Sequence, residues 1–125
     1  MSKSKFLKFD QTFDQDLSSA VLNVTTTSPG GKGFILDSIF IKFRNGAGAA
    51  VNVSETITLG LNSYKGANYD TILPNGETEL VEENDFWYQP GDEMVINAGD
   101  EIDIDCTADN ATGIAHVVVK TREIA

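Results

Sequence analysis

The chain has 125 residues with 9 Lys and Arg against 19 Asp and Glu, a net charge of −10 and a single cysteine. That length suits one domain able to bury a core unaided, and a lone Cys106 excludes an intramolecular disulfide framework. No apolar run is long enough for a secretion-signal core or a membrane span, and a surface this acidic repels nucleic-acid phosphates, so nucleic acid and membrane are not expected partners.

Charge is unevenly spread. Lys3, Lys5 and Lys8 fall in the first eight residues with no acid among them, which leaves 6 bases against 19 acids, or −13, for the remainder. Residues 1–9 therefore read as a basic arm or first strand, with a weak strand at 5–9, ahead of one β domain over 10–125. Another weak strand is expected over 20–26. SPGGKG at 28–33 is a flexible loop, because Gly-rich stretches carry the least conformational restriction.

From residue 37 the dominant period is two. In DSIFIKFRN, Ile39, Ile41 and Phe43 alternate with Phe40, Lys42 and Arg44 before the turn-forming Asn45-Gly46. Such alternation places the two sets on opposite faces of a strand. GAGAA at 46–50 has room for one helical turn at most. VNVSETITL at 51–59 alternates again, with Val51, Val53, Ile57 and Leu59 on one side and Glu55 breaking the pattern. Short strands are predicted at 69–73 and 77–81, split by Pro74-Asn75-Gly76, a strong hairpin sequence.

FWYQPGDEMVINAGDEIDIDC, residues 86–106, resolves into consecutive strands. If extended, Phe86 and Tyr88 face one way and Trp87 the other. MVIN is a short strand between two Gly-Asp turns. In EIDIDC, Ile102, Ile104 and Cys106 share the core face while Glu101, Asp103 and Asp105 face water. GIAHVVVKTRE closes the chain as an interior strand, with Ala115, Val117 and Val119 against Ile114, His116, Val118 and Lys120. About nine or ten short strands, without a trustworthy helix, predict an all-β antiparallel sandwich, most simply a jelly roll.

Chemistry-bearing residues are sparse. His116, the sole histidine, sits in mid-strand and reads as a packed or edge imidazole rather than a catalytic base or metal ligand. Cys106 reads as a small core residue. Residues i and i+2 of a strand lie ~6.8 Å apart, so Glu101, Asp103 and Asp105 cannot wrap one Ca²⁺, whose oxygens sit at ~2.3–2.6 Å. Asp109 and Asn110 are the alternative loop site for calcium. Neither a Ser-His-Asp pairing nor a phosphate-cradling Gly-rich loop can be assigned. No cofactor and no catalytic residue is expected. Trp87, Tyr64 and Tyr69 are the candidates for stacking on a sugar ring, although a lone Trp in a small β domain is expected in the core.

Two resemblances add to this reading. PGDEMVINAG resembles the second half of the cupin signature, which implies jelly-roll geometry. The usual proline is replaced at Asn97, the ligand position falls on Ile102, and no His-x-His lies upstream, so the metal and the enzymology are not carried over. The basic N-terminal residues, DSIFIKFRNGAG and the series from Phe86 to Glu123 resemble small β-sandwich virion proteins of tailed bacteriophages, particularly capsid decoration or cement proteins. That resemblance implies a non-enzymatic homo-oligomer, often a trimer, made in the host cytoplasm and seated on the virion. The major capsid protein or another virion protein is the implied partner, with Lys3, Lys5, Phe6, Lys8 and Phe9 as its contact arm. A carbohydrate- or receptor-binding module of a tail or fibre is the alternative; a small cupin-like enzyme or isomerase is a third reading.

Overall fold

The computed structural model describes residues 8–27, 32–109 and 112–123. Within them lie nine strands: β1 (Lys8–Asp16), β2 (Leu22–Thr26), β3 (Phe34–Arg44), β4 (Thr56–Asn62), β5 (Thr71–Glu79), β6 (Asp85–Tyr88), β7 (Met94–Ile96), β8 (Glu101–Cys106) and β9 (Ile114–Glu123). Among the described residues there is no α-helix, only a 3-10 turn at Ala67–Tyr69.

Strand pairing is nested. β4 pairs with β5, β3 with β6 and β7, β2 with β8, and β1 with β9, all antiparallel. The chain is thus one long ribbon folded back on itself at the β4–β5 connection. Rolling that ribbon adds the pairs β3·β9 and β4·β8 and closes two sheets, β1-β9-β3-β6 with β7 also on β3, and β2-β8-β4-β5. This is the jelly roll, which buries one face of each sheet against the other.

The alternation seen in sequence supplies that core. Ile39, Ile41 and Phe43 of β3, with Ala115, Val117 and Val119 of β9, are at most 1% exposed, and they face Ile57 and Leu59 of β4 and Ile102, Ile104 and Cys106 of β8. Each fully buried Leu or Ile side chain contributes about 1.5–3 kcal/mol relative to exposure.

Several boundaries differ from expectation, each for a physical reason. β1 continues to Asp16, well past the expected strand end at Phe9; its inward positions include Gln11 and Gln15 as well as Phe9 and Phe13, so an edge strand with a half-buried inner side shows little apolar alternation. β3 begins at Phe34 and crosses a register irregularity between Leu36 and Ser38. Val51 and Val53 precede β4 instead of starting it, and Val53 makes an isolated bridge to Glu83.

Pro74-Asn75-Gly76 is not a hairpin. β5 runs through it, and the residues between Ile72 and Glu77 bulge opposite the short span from Thr58 to Gly60 of β4. Asn75 adopts φ 57°, and Gly76 lies so close to the Leu59 and Leu73 carbonyls that a Cβ would sit 2.7 and 2.8 Å from their oxygens. Turn chemistry here makes a bulge, which the same residues serve equally well. Tyr69 belongs to the 3-10 turn, and Val81 lies beyond β5 at 65% exposed.

Candidate functional site

The two outer faces of the sandwich differ in chemistry. On the β1-β9-β3-β6 sheet, register aligns Thr12, Val118, Phe40 and Trp87 in one transverse row and Asp14, His116, Lys42 and Asp85 in the next. Phe40 and Trp87 stack with ring centroids 5.2 Å apart and planes 10° from parallel. Around them run ion pairs, Lys120 to Asp10 at 3.6 Å, Arg44 to Asp85 at 3.0 Å and Arg122 to Asp37 at 2.8 Å, and a hydrogen bond between His116 Nδ1 and Asp14 at 2.6 Å. Exposed pairs of this kind add at most ~1 kcal/mol each, so they orient more than they stabilise.

The β2-β8-β4-β5 sheet carries no Lys or Arg in any of its strands. Its outer side presents Glu101, Asp103 and Asp105 of β8, flanked by Thr25 of β2, and Glu77 and Glu79 of β5, with Thr58 of β4 between Asp105 and Glu77. Thr25 donates to Asp103 at 2.8 Å. Partial burial, and then the neighbouring Asp103 charge, push the Asp105 carboxyl above its ordinary value.

An open groove of about 710 Å³ runs along β6, the edge of its sheet, between the β5 bulge and the β6–β7 connection. Trp87, Pro90 and Val95 give it apolar wall; Asn75, Thr78, Gln89, Asp92 and Glu93 give it polar groups. The Tyr88 hydroxyl donates to the Pro74 carbonyl at 2.8 Å and holds the two sides of the groove together.

Trp87 is a correction to the expected core placement. It is 60% exposed, because β6 turns Phe86 and Tyr88 inward and leaves the indole outside. Tyr64 and Tyr69 are also exposed, at 64% and 61%, but they stand on the β4–β5 connection and do not line the groove. Lys65 Nζ lies 5.7 Å from the Tyr69 ring centroid. The three aromatics therefore do not form one platform.

Of the suggested contact arm, Lys3, Lys5 and Phe6 lie outside the described residues. Lys8 and Phe9 open β1, opposite Arg122 and Thr121, and Phe9 packs partly against the core. Those two are strand residues. Cys106 is buried, and desolvation followed by the Glu55 charge pushes its thiol to about 12, which leaves it unreactive. Asp109 donates its backbone N–H to Glu55 at 2.8 Å, while Asn110 is outside the described residues. No three His, Cys, Asp or Glu side chains among the described residues are grouped to hold a metal, and no described helix is long and apolar enough to cross a membrane.

Glu55, whose place in the sequence points to no function, is 2% exposed. It accepts from Thr107 Oγ1 and the Asp109 amide, both at 2.8 Å, and Thr107 Oγ1 in turn accepts from the Thr56 amide at 3.0 Å. The network ties the start of β4 to the β8–β9 connection. Its one signal in sequence was the acid at an inward position of an otherwise regular strand.

No protein-family model matches the chain, and no curated protein does. Among solved structures it is similar to a chain in the structure of the infectious bursal disease virus Gx strain, with 7% identity and a TM-score of 0.44 over 95% of this chain. The chain spans 31% of that protein's length. The fold assignment rests on the strand pairing above.

Proposed function

We propose that this chain is a non-enzymatic structural component of a virion, a jelly-roll protein of the capsid decoration or cement kind. The supporting observation is the unlike chemistry of its two outer faces. The β1-β9-β3-β6 face combines half-exposed Ile114, Phe40 and Val118 with both signs of charge, the mixture of apolar centre and polar rim found where proteins dock. The described strands of the opposite face carry only carboxylates among their charges, and that side stays hydrated. A slab of this kind seats one side on a protein shell and turns the other to water. Its partner is the major capsid protein or another virion protein, and it assembles with copies of itself, as a trimer by preference, to complete the knob.

Mass spectrometry of purified virions from the source of the chain, with a tailed phage as the expected host particle, tests this reading. The chain should be present and should remain with heads separated from tails. Val118→Glu and Lys42→Glu should release it into the soluble fraction, whereas Asp103→Asn should not. Absence from the particles, or release only by changes on the acidic face, overturns the proposal. Removing residues 1–7, ahead of β1, asks separately whether Lys3, Lys5 and Phe6 contribute to attachment.

A further inference from the structure

We infer that the groove along β6 is a binding site for a neutral saccharide, with the outer face of the Trp87 indole as its stacking platform. Phe40 lies against one face of the indole, with planes only 10° from parallel. Phe40 belongs to β3, and β6 is the last strand of the sheet, so among the described residues no strand stands on the other side of Trp87. The second indole face therefore looks over the sheet edge, into the groove that Trp87 lines. An aromatic held on one side and 60% exposed loses little rotamer freedom when a flat ligand covers the other.

The polar groups fit sugar hydroxyls. Asn75, Gln89 and Thr78 each donate and accept, while Asp92 and Glu93 accept. Backbone adds to this set. Phe43 donates to Asn84, which fixes the hydrogen-bonded phase of the β3·β6 ladder and turns the N–H and C=O of Trp87 toward the free edge. A hydroxyl uses donors and acceptors alike, whereas a cation uses acceptors alone; the mixed set favours the sugar. Among the described residues no Lys or Arg lines the groove, so uronates, sialic acids and phosphorylated glycans are repelled. A volume of about 710 Å³ falls within the ~300–1,000 Å³ of small-molecule sites and leaves room for a short oligosaccharide.

Trp87 is the sole tryptophan, so its fluorescence reports this groove alone. The full chain is titrated with cellohexaose, maltohexaose, mannohexaose and a galactan oligosaccharide, with oligogalacturonate and octalysine as charged controls. At least one neutral probe should shift Trp87 emission to the blue, saturably, and protect it from acrylamide quenching. By calorimetry, Trp87→Ala should weaken that binding about tenfold or more. Asp92→Asn with Glu93→Gln should weaken it several-fold, and Trp87→Phe should retain part. Val118→Glu should leave it intact, which separates this site from the capsid-docking face. The inference is overturned if every neutral probe leaves Trp87 unperturbed, if octalysine binds in their place, or if Trp87→Ala, folded by circular dichroism, binds the sugar as tightly as the parent.

Discussion

The Tyr88 hydroxyl reaches across from one sheet of the sandwich to the Pro74 carbonyl of the other, 2.8 Å away. Tyr88 is only 6% exposed, so this bond satisfies a hydroxyl largely withdrawn from water. Tyr88→Phe should cost about 1–2 kcal/mol, a fall of roughly 3–7 °C in melting temperature for a domain of this size. Burial also raises the phenol above 10.0. Its ionisation then favours the unfolded chain, so parent stability should drop as pH climbs past that value, and Tyr88→Phe should remove this contribution. Thermal unfolding followed by circular dichroism across alkaline pH measures both effects.

Glu55 holds Thr107 and Asp109 from inside the sandwich. Glu55→Ala leaves those donors buried and should lower unfolding free energy by about 2–4 kcal/mol, with Thr107→Val costing roughly half as much. Urea unfolding provides the measurement. If the two losses fully add in the double variant, the residues do not act as one network.

Gly76 admits no side chain, because both close neighbours are backbone oxygens. Gly76→Ala should destabilise by roughly 1–3 kcal/mol through forced backbone movement. Gly46, where an added Cβ would meet nothing within 4 Å, should tolerate Ala within ~0.5 kcal/mol. Equal melting temperatures for the two variants would show that the β5 bulge shifts freely.

Asp105 is held above its ordinary 3.8 by desolvation and by Asp103. The folded state thus binds this proton more tightly than the unfolded chain, and the ionised group works against folding. Asp105→Asn should raise the melting temperature at pH 7, and the gain should fade as pH falls through the raised folded value toward the unfolded one. Asp16 has the opposite sign, since hydrogen bonds from Ser18 lower its value. Its contribution is present above 3.8 and lost as pH drops below. Melting curves of Asp105→Asn and Asp16→Asn from neutral to acid pH distinguish the two.

Cys106 should resist iodoacetamide at pH 8 in the folded protein and react fully in urea, because burial hides the thiol and raises it to about 12. Labelling measured by mass spectrometry in parallel with unfolding should give coincident curves. Rapid labelling of the native chain would place the thiol at the surface.

The sequence by itself determined which residues face inward over most of the chain. Alternation is a local property of a pleated strand, so Ile39, Ile41 and Phe43, or Ile102, Ile104 and Cys106, show their side without knowledge of any partner. It also determined a sandwich of about nine short strands, since that many half-apolar strands must cover one another.

Tertiary structure alone decided the rest. Which strands pair depends on contacts between residues as far apart as Lys8 and Arg122, and no local pattern encodes those. Because β6 falls at a sheet edge, beside Phe40 and facing open solvent, Trp87 is a surface group and not a core one. Because pairing with β4 resumes, in a shifted register, on both sides of Pro74-Asn75-Gly76, a turn sequence became a bulge and one wall of a groove. Glu55 became a buried tie only when Thr107 and Asp109 arrived to donate to it. Burial, stacking and groove shape are relations among segments remote in the chain, and they exist only after the ribbon has rolled.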